Sequence, residues 1–262
     1  MRLLQLILDF LPSFLLVLCR ISAFFVSSPI FSFRGIPPQA KVGLAFFISF
    51  IVFFSAGLPS SIPLDVAYMI SVVREILIGL ALGFAAYIFF TAIQISGSFV
   101  DLQMGFGIVN VFDPMTGAQS PIIGNFKYVI ATLLFLVMDG HHYLLKAVVQ
   151  SFEWIPFDNT FFNAIYDGDV SNFMLQSFVQ MFSIALQMSA PLVAALFLSD
   201  VALGILSKIT PQFNVFVVGI PFKIIVGFLI LLLMIPGFAY LFGQLFETMF
   251  TALDQLLQVS GT

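Results

Sequence analysis

A chain of 262 residues that is 61% hydrophobic and only 8% charged is not a soluble globular domain, which carries about 25% charged residues. Its formal charge of −4, without any Lys/Arg cluster, excludes a nucleic-acid partner and a polybasic lipid-binding face. The lone Cys19 has no second cysteine to pair with and, inside an apolar run, reads as an inert packing residue.

The spacing of the charges predicts membrane-crossing helices. Lys41–Asp65 encloses 23 uncharged residues, Glu75–Asp101 encloses 25, Asp169–Asp200 encloses 30 and Lys223–Glu247 encloses 23. About 20 apolar residues at the helical rise cross a hydrocarbon core ~30 Å thick. The first helix is predicted over 10–33, with Arg20 in its middle. Arg2 before an apolar run suggests a signal peptide, but Asp9 interrupts the run and no small-x-small cleavage site precedes Arg20, so the helix is read as retained. The turn Gly35-Ile36-Pro37-Pro38 ends helical pairing.

A second helix is predicted over 42–64, broken near its end by Gly57 and Pro59, and a third over 66–98. Arg74 and Glu75 lie near the start of the third and read as anchors at a helix end; Gly79 and Gly83 form a GxxxG packing face, assigned here to partner docking. A fourth helix is predicted over 127–152, interrupted by Asp139-Gly140-His141-His142, and the acidic stretch 153–172 follows. A fifth covers 173–206, where Pro191 is expected to kink it. The turn at Pro211 leads into the sixth, 213–250, where Pro221 and Pro236 imply broken or hairpin helices. The reading is a single all-α polytopic membrane domain spanning 1–262.

The segment 103–126 is turn chemistry built from apolar residues, with Gly105, Gly107, Gly117 and Pro114 among Met104, Phe106, Ile108, Val109, Phe112 and Met115. Irregular backbone at membrane depth is tolerated only when buried in protein or lining a cavity. From the residues alone it is either a buried connection or a soft apolar constriction that excludes water.

Arg20 also has two readings: a group on a water-filled path, or one half of a buried pair with Asp101 or Glu75. His141 and His142 are adjacent and point in different directions on a helix, so they read as helix-start residues behind an Asp139 cap rather than metal ligands. No nucleophile elbow, zinc helix or phosphate loop is present. Neither an enzyme nor a cofactor or metal site is expected.

Pro211-Gln212-Phe213-Asn214-Val215-Phe216, followed by Gly219-Ile220-Pro221-Phe222-Lys223, resembles the PQxNVF…GxPxK signature of the FliR/SctT family of export-gate membrane proteins. Arg20 with Pro29, Gly35-Ile36-Pro37 before Lys41, and Glu75 with Gly79 and Gly83 lie in the family's order. So do Gly97, Asp101, Gln103, Gly105, Asp113-Pro114, Asp139-Gly140-His141-His142 and Ala190-Pro191…Asp200…Gly204. The resemblance covers nearly the whole chain. It implies kinked helical hairpins with a FliP-like part joined to a FliQ-like part. It further implies a helical hetero-oligomeric pore with FliP-like and FliQ-like subunits, an associated FlhB-like protein, and passage of unfolded substrates. The family's pore plug falls on 103–126, so Met104–Val109, Phe112, Pro114, Met115 and Gly117 are the expected gating residues. Arg20, Glu75, Asp101 and Lys223 are the expected buried polar residues, and Pro211, Gln212 and Asn214 a docking turn. An autonomous ion channel or secondary transporter is the alternative, supported by Arg20 and the prolines.

Overall fold

The computed structural model of the chain describes residues 2–33, 35–55, 65–106, 121–158, 160–210, 212 and 214–261. Every regular element among the described residues is an α-helix: α1 (Arg2–Ser27), α2 (Pro38–Ser55), α3 (Val66–Met104), α4 (Ile122–Val137), α5 (Gly140–Trp154), α6 (Thr160–Tyr166), α7 (Asp169–Ile209) and α8 (Val215–Gly261). Five are long and apolar enough to cross a membrane, and α4 with α5 pass the same test as a pair, making six. The exclusion of water from the bilayer makes the helix the only open-chain solution for the backbone, which is why so apolar a sequence is helical almost throughout.

The helices depart from the expected bounds in instructive ways. The interruption expected at Asp139-Gly140 is present as a full break: Asp139 takes a left-handed backbone (φ 57°), so the fourth helix is two, α4 and α5. The third runs on to Met104, carrying Asp101 and Gln103 within it. Pro191 lies inside α7, and Pro221 and Pro236 lie inside α8 without ending it. The expected break of the sixth helix is therefore corrected. Each proline forfeits one backbone bond, while unwinding an apolar run would strand many. Helices α3, α7 and α8 hold 39, 41 and 47 residues, about 60–70 Å at the helical rise and twice the hydrocarbon thickness.

The chain packs as two compact units. The first comprises 1–88, 139–178 and 247–262. Within it α1 meets α2 through edge-on aromatic contacts of Phe10 and Phe14 with Phe46 and Phe53. α1 meets α3 at Gly79 and Gly83: a β-carbon at Gly79 would lie 2.2 Å from the Arg20 carbonyl oxygen, and one at Gly83 2.9 Å from that of Phe24. α5 lies along the last turns of α8, with Tyr143 stacked on Phe250 at 4.7 Å.

The second unit comprises 89–138 and 179–246. Its core is the cluster Phe90, Phe135 and Phe246, with ring centroids 4.8–5.6 Å apart. Outward surfaces are apolar on both units: Phe47, Phe54 and Met69 on the first, Leu133, Val179 and Leu233 on the second, are largely exposed. Surface of this kind suits lipid or protein neighbours, not water.

Candidate functional site

In the first unit the buried charges form one network. Arg20, without solvent exposure, places Nε 2.6 Å from Glu75 Oε2. Its Nη1 donates to the Ser151 carbonyl (2.7 Å) and hydroxyl (3.1 Å), and Nη2 to the Ile155 carbonyl (3.0 Å). Those acceptors sit at the end of α5, where the helix dipole favours a cation; the Ser151 carbonyl also accepts the Ile155 N–H at 2.9 Å. The guanidinium also lies 4.1 Å from the Phe152 ring centroid. Arg74 donates through Nε to Glu75 Oε1 at 3.2 Å and through Nη1 to the Asp158 carbonyl. Two cations therefore share one carboxylate, with backbone carbonyls and the Ser151 hydroxyl as further acceptors, while Arg74 Nη2 is buried without a hydrogen-bond partner.

This decides between the readings of Arg20. It is one half of a buried pair, its partner is Glu75, and the pairing with Asp101 is corrected. Arg74 and Glu75 are buried members of the network rather than anchors at a helix end. Gly79 and Gly83 press against α1 of the same chain, so their close-packing face is internal rather than a partner-docking surface.

In the second unit Asp101, 6% exposed, caps α4. Its carboxylate accepts the backbone N–H of Ile123 (3.1 Å to each oxygen) and of Gly124 (3.4 Å). Pro121, at the N-cap position, makes no side-chain cap, so α3 supplies the acceptor α4 lacks. Beside this cap Lys127, also buried, donates to Ser96 Oγ and faces the Phe238 ring at 5.6 Å. Gly97 and Gly124 bring the two backbones together: a β-carbon at Gly97 would lie 2.1 Å from Gly124 Cα. Asp101→Ala should lower stability by about 1–3 kcal/mol, because two buried N–H groups lose their acceptor. Asp101→Asn, which keeps one acceptor oxygen, should lose less. Identical unfolding midpoints for Asp101→Ala and wild type in detergent would dismiss this cap.

Both ends of the expected plug segment are fastened to Asp101. The Phe106 N–H donates to the Asp101 carbonyl at 3.0 Å, and the carboxylate holds the start of α4. Met104 is fully buried and lies against Gly227 of α8, while Gly105 takes φ 88° near Ile220. Phe106 is half-buried. Gly107, Ile108, Val109, Phe112, Pro114, Met115 and Gly117 lie outside the described residues. Gln103 donates to Asp200 Oδ2 at 2.8 Å, and Lys223 Nζ lies 2.9 Å from Asp200 Oδ1. Lys223 is thus half-buried and paired, and it helps hold the helix end from which the segment departs.

In the PQxN turn, Pro211 lies outside the described residues and Gln212 is exposed. Asn214 caps α8, its Oδ1 accepting the Val217 N–H at 3.3 Å. Sequence reasoning missed the Ser151 and Ile155 acceptors of Arg20, two of them backbone carbonyls, and the Gly97–Gly124 approach. The only sequence signal for the latter was a small residue in each helix.

A chain whose described residues are helical throughout their regular structure, with five or six helices long and apolar enough to cross a bilayer, is an integral membrane protein. A family profile described as "Bacterial export proteins, family 1" matches residues 11–249. The chain is 46% identical to the flagellar biosynthetic protein FliR of Bacillus subtilis (strain 168) over 255 residues, 97% of this chain and 98% of that one. It is 29% identical to the protein of that name from Escherichia coli (strain K12) over 246 residues, 92% of this chain and 90% of the other. The one from Pectobacterium carotovorum subsp. carotovorum is 30% identical over 242 residues, 90% and 91% of the two chains. The chain belongs to the FliR family of bacterial export proteins, and is a component of the flagellar export apparatus in the inner membrane at the flagellar base.

Proposed function

We propose that this chain is the FliR-like subunit of a type III export gate. It completes a channel with FliP-like and FliQ-like subunits, with an FlhB-like protein associated, and unfolded flagellar proteins pass through it. Its role is structural and gating, without catalysis, and segment 103–126 is the plug. The observation that carries the reading is the family match across residues 11–249. Two features support it further. Helices twice as long as a bilayer is thick with largely exposed apolar faces suit a subunit built into an assembly. Segment 103–126 has a fixed base at Asp101, whose carbonyl accepts the Phe106 N–H and whose carboxylate accepts the Ile123 N–H.

The test co-expresses the chain with and without its FliP-like and FliQ-like neighbours and weighs the detergent-extracted particle by native mass spectrometry. A discrete hetero-oligomer containing this chain is expected, and deletion of 106–117 or Gly117→Val in that assembly should make the membrane leak ions. A monodisperse particle of this chain alone, indifferent to the neighbours, would instead favour the autonomous channel or transporter. Unchanged ion permeability in the assembled mutants would remove the plug.

A further inference from the structure

Asp139 stands at the junction of two helices, and its left-handed backbone is a common way for the residue after a C-cap to end a helix, here α4. Asp is among the best N-cap residues, yet the Asp139 side chain makes no hydrogen bond to the helix it precedes. Among the described residues it is also the one non-glycine with a positive φ, 57°, a conformation that costs a residue carrying a β-carbon. The carboxylate is turned instead toward His142, with Oδ1 3.3 Å from Nδ1. His141 does not point away from its neighbour as the sequence suggested: the two rings lie 4.1 Å apart, tilted by 37°. His141 Nδ1 is buried without a hydrogen-bond partner. One ligand-capable atom from each of the three side chains lies within 4.8 Å of the others.

We infer that Asp139, His141 and His142 form a binding site for a divalent transition-metal ion of the zinc class. For tetrahedral zinc with ligands at about 2.0–2.1 Å, two ligand atoms stand about 3.4 Å apart. The Asp139–His142 pair already has that separation. The third corner closes by rotation of side chains that have room to turn, since those of Asp139 and His142 are 71% and 68% exposed. Two imidazoles and one carboxylate are a borderline donor set suited to Zn²⁺ over Mg²⁺ or Ca²⁺, and leave a fourth position for water. The left-handed turn that ends α4 also leaves the carboxylate beside His142 rather than on the N–H groups of α5. Neither channel formation nor a plug requires these residues to converge, so the inference stands apart from the proposed export role.

The test uses the full, tag-free chain in detergent. These are its only two histidines, so any histidine-dependent metal binding maps to them. Titration with Zn²⁺ against a chelating indicator should show one site per chain, and Co²⁺ substitution should give the visible absorption of a four-coordinate ion. His141→Gln with His142→Gln should abolish both signals, and Asp139→Asn, which keeps a residue tolerant of the left-handed turn, should weaken Zn²⁺ binding by about 10–100-fold. Should the variants not fold, the unaltered chain still decides: bound Zn²⁺ should protect both histidines from carbethoxylation by diethyl pyrocarbonate. No saturable Zn²⁺ binding, binding that survives loss of both histidines, or no protection would overturn the site.

Discussion

Arg20→Met should destabilise the chain by about 3–5 kcal/mol, the usual loss when one partner of a buried ion pair is removed. Glu75→Gln should be at least as severe. Arg20→Met leaves Glu75 with Arg74 as a counter-ion at 3.2 Å, whereas Glu75→Gln leaves two buried guanidinium groups and no anion between them. Arg20→Lys should fail to rescue. A single ammonium cannot reach Glu75, Ser151 and Ile155 together, as the guanidinium fork does at 2.6–3.0 Å. The double variant Arg20→Met with Glu75→Gln should fall short of the summed singles by about 0.5–3 kcal/mol. Unfolding in graded mixtures of denaturing and mild detergent reads these differences, and strict additivity of the two singles would sink the pair. Because Arg20 ties α1 to α3 and to the end of α5, the same variants should lose flagellar export, seen as loss of swimming.

The membrane character was legible because it is written in charge spacing, which survives any detail of packing. The helix bounds were less so. Asp139-Gly140 is turn chemistry and reads as an interruption, which the left-handed torsion there bears out, while the prolines of α8 misled because a long apolar helix absorbs them. Among the buried charges the sequence offered Arg20 two carboxylates and no means of choosing. The choice rests on 55 and 131 residues of separation to Glu75 and Ser151, and half of the acceptors are backbone carbonyls, which every residue has. Asp101 was singled out as buried and polar, but its task depends on Pro121 being unable to cap its own helix. His141 and His142 both lie in the first turn of α5, and their ring contact depends on side-chain rotation, which sequence spacing does not fix.

Gly97→Val should separate α3 from α4 and cost more than Gly97→Ala, for which about 1–3 kcal/mol is expected from overpacking alone. The obstacle is backbone: a β-carbon at Gly97 would meet Gly124 Cα at 2.1 Å and its nitrogen at 2.4 Å, and no side-chain rotation relieves that. In a bilayer the hydrophobic effect does not press helices together, so close backbone approach and its dispersion contacts carry the association. The crossing also holds Asp101 in register with the Ile123 and Gly124 N–H groups. Separation should therefore remove the cap as well, and Gly97→Val should add little to Asp101→Ala when the two are combined. Gly204→Ala and Gly237→Ala are the controls. Nothing lies within 4 Å of a β-carbon at either position, so in the isolated chain they should be neutral or stabilising by up to about 1 kcal/mol through helix propensity. If Gly97→Val unfolds in detergent at the same point as those controls, the α3–α4 crossing is looser than drawn here. Segment 103–126 would then not be held at its base through Asp101.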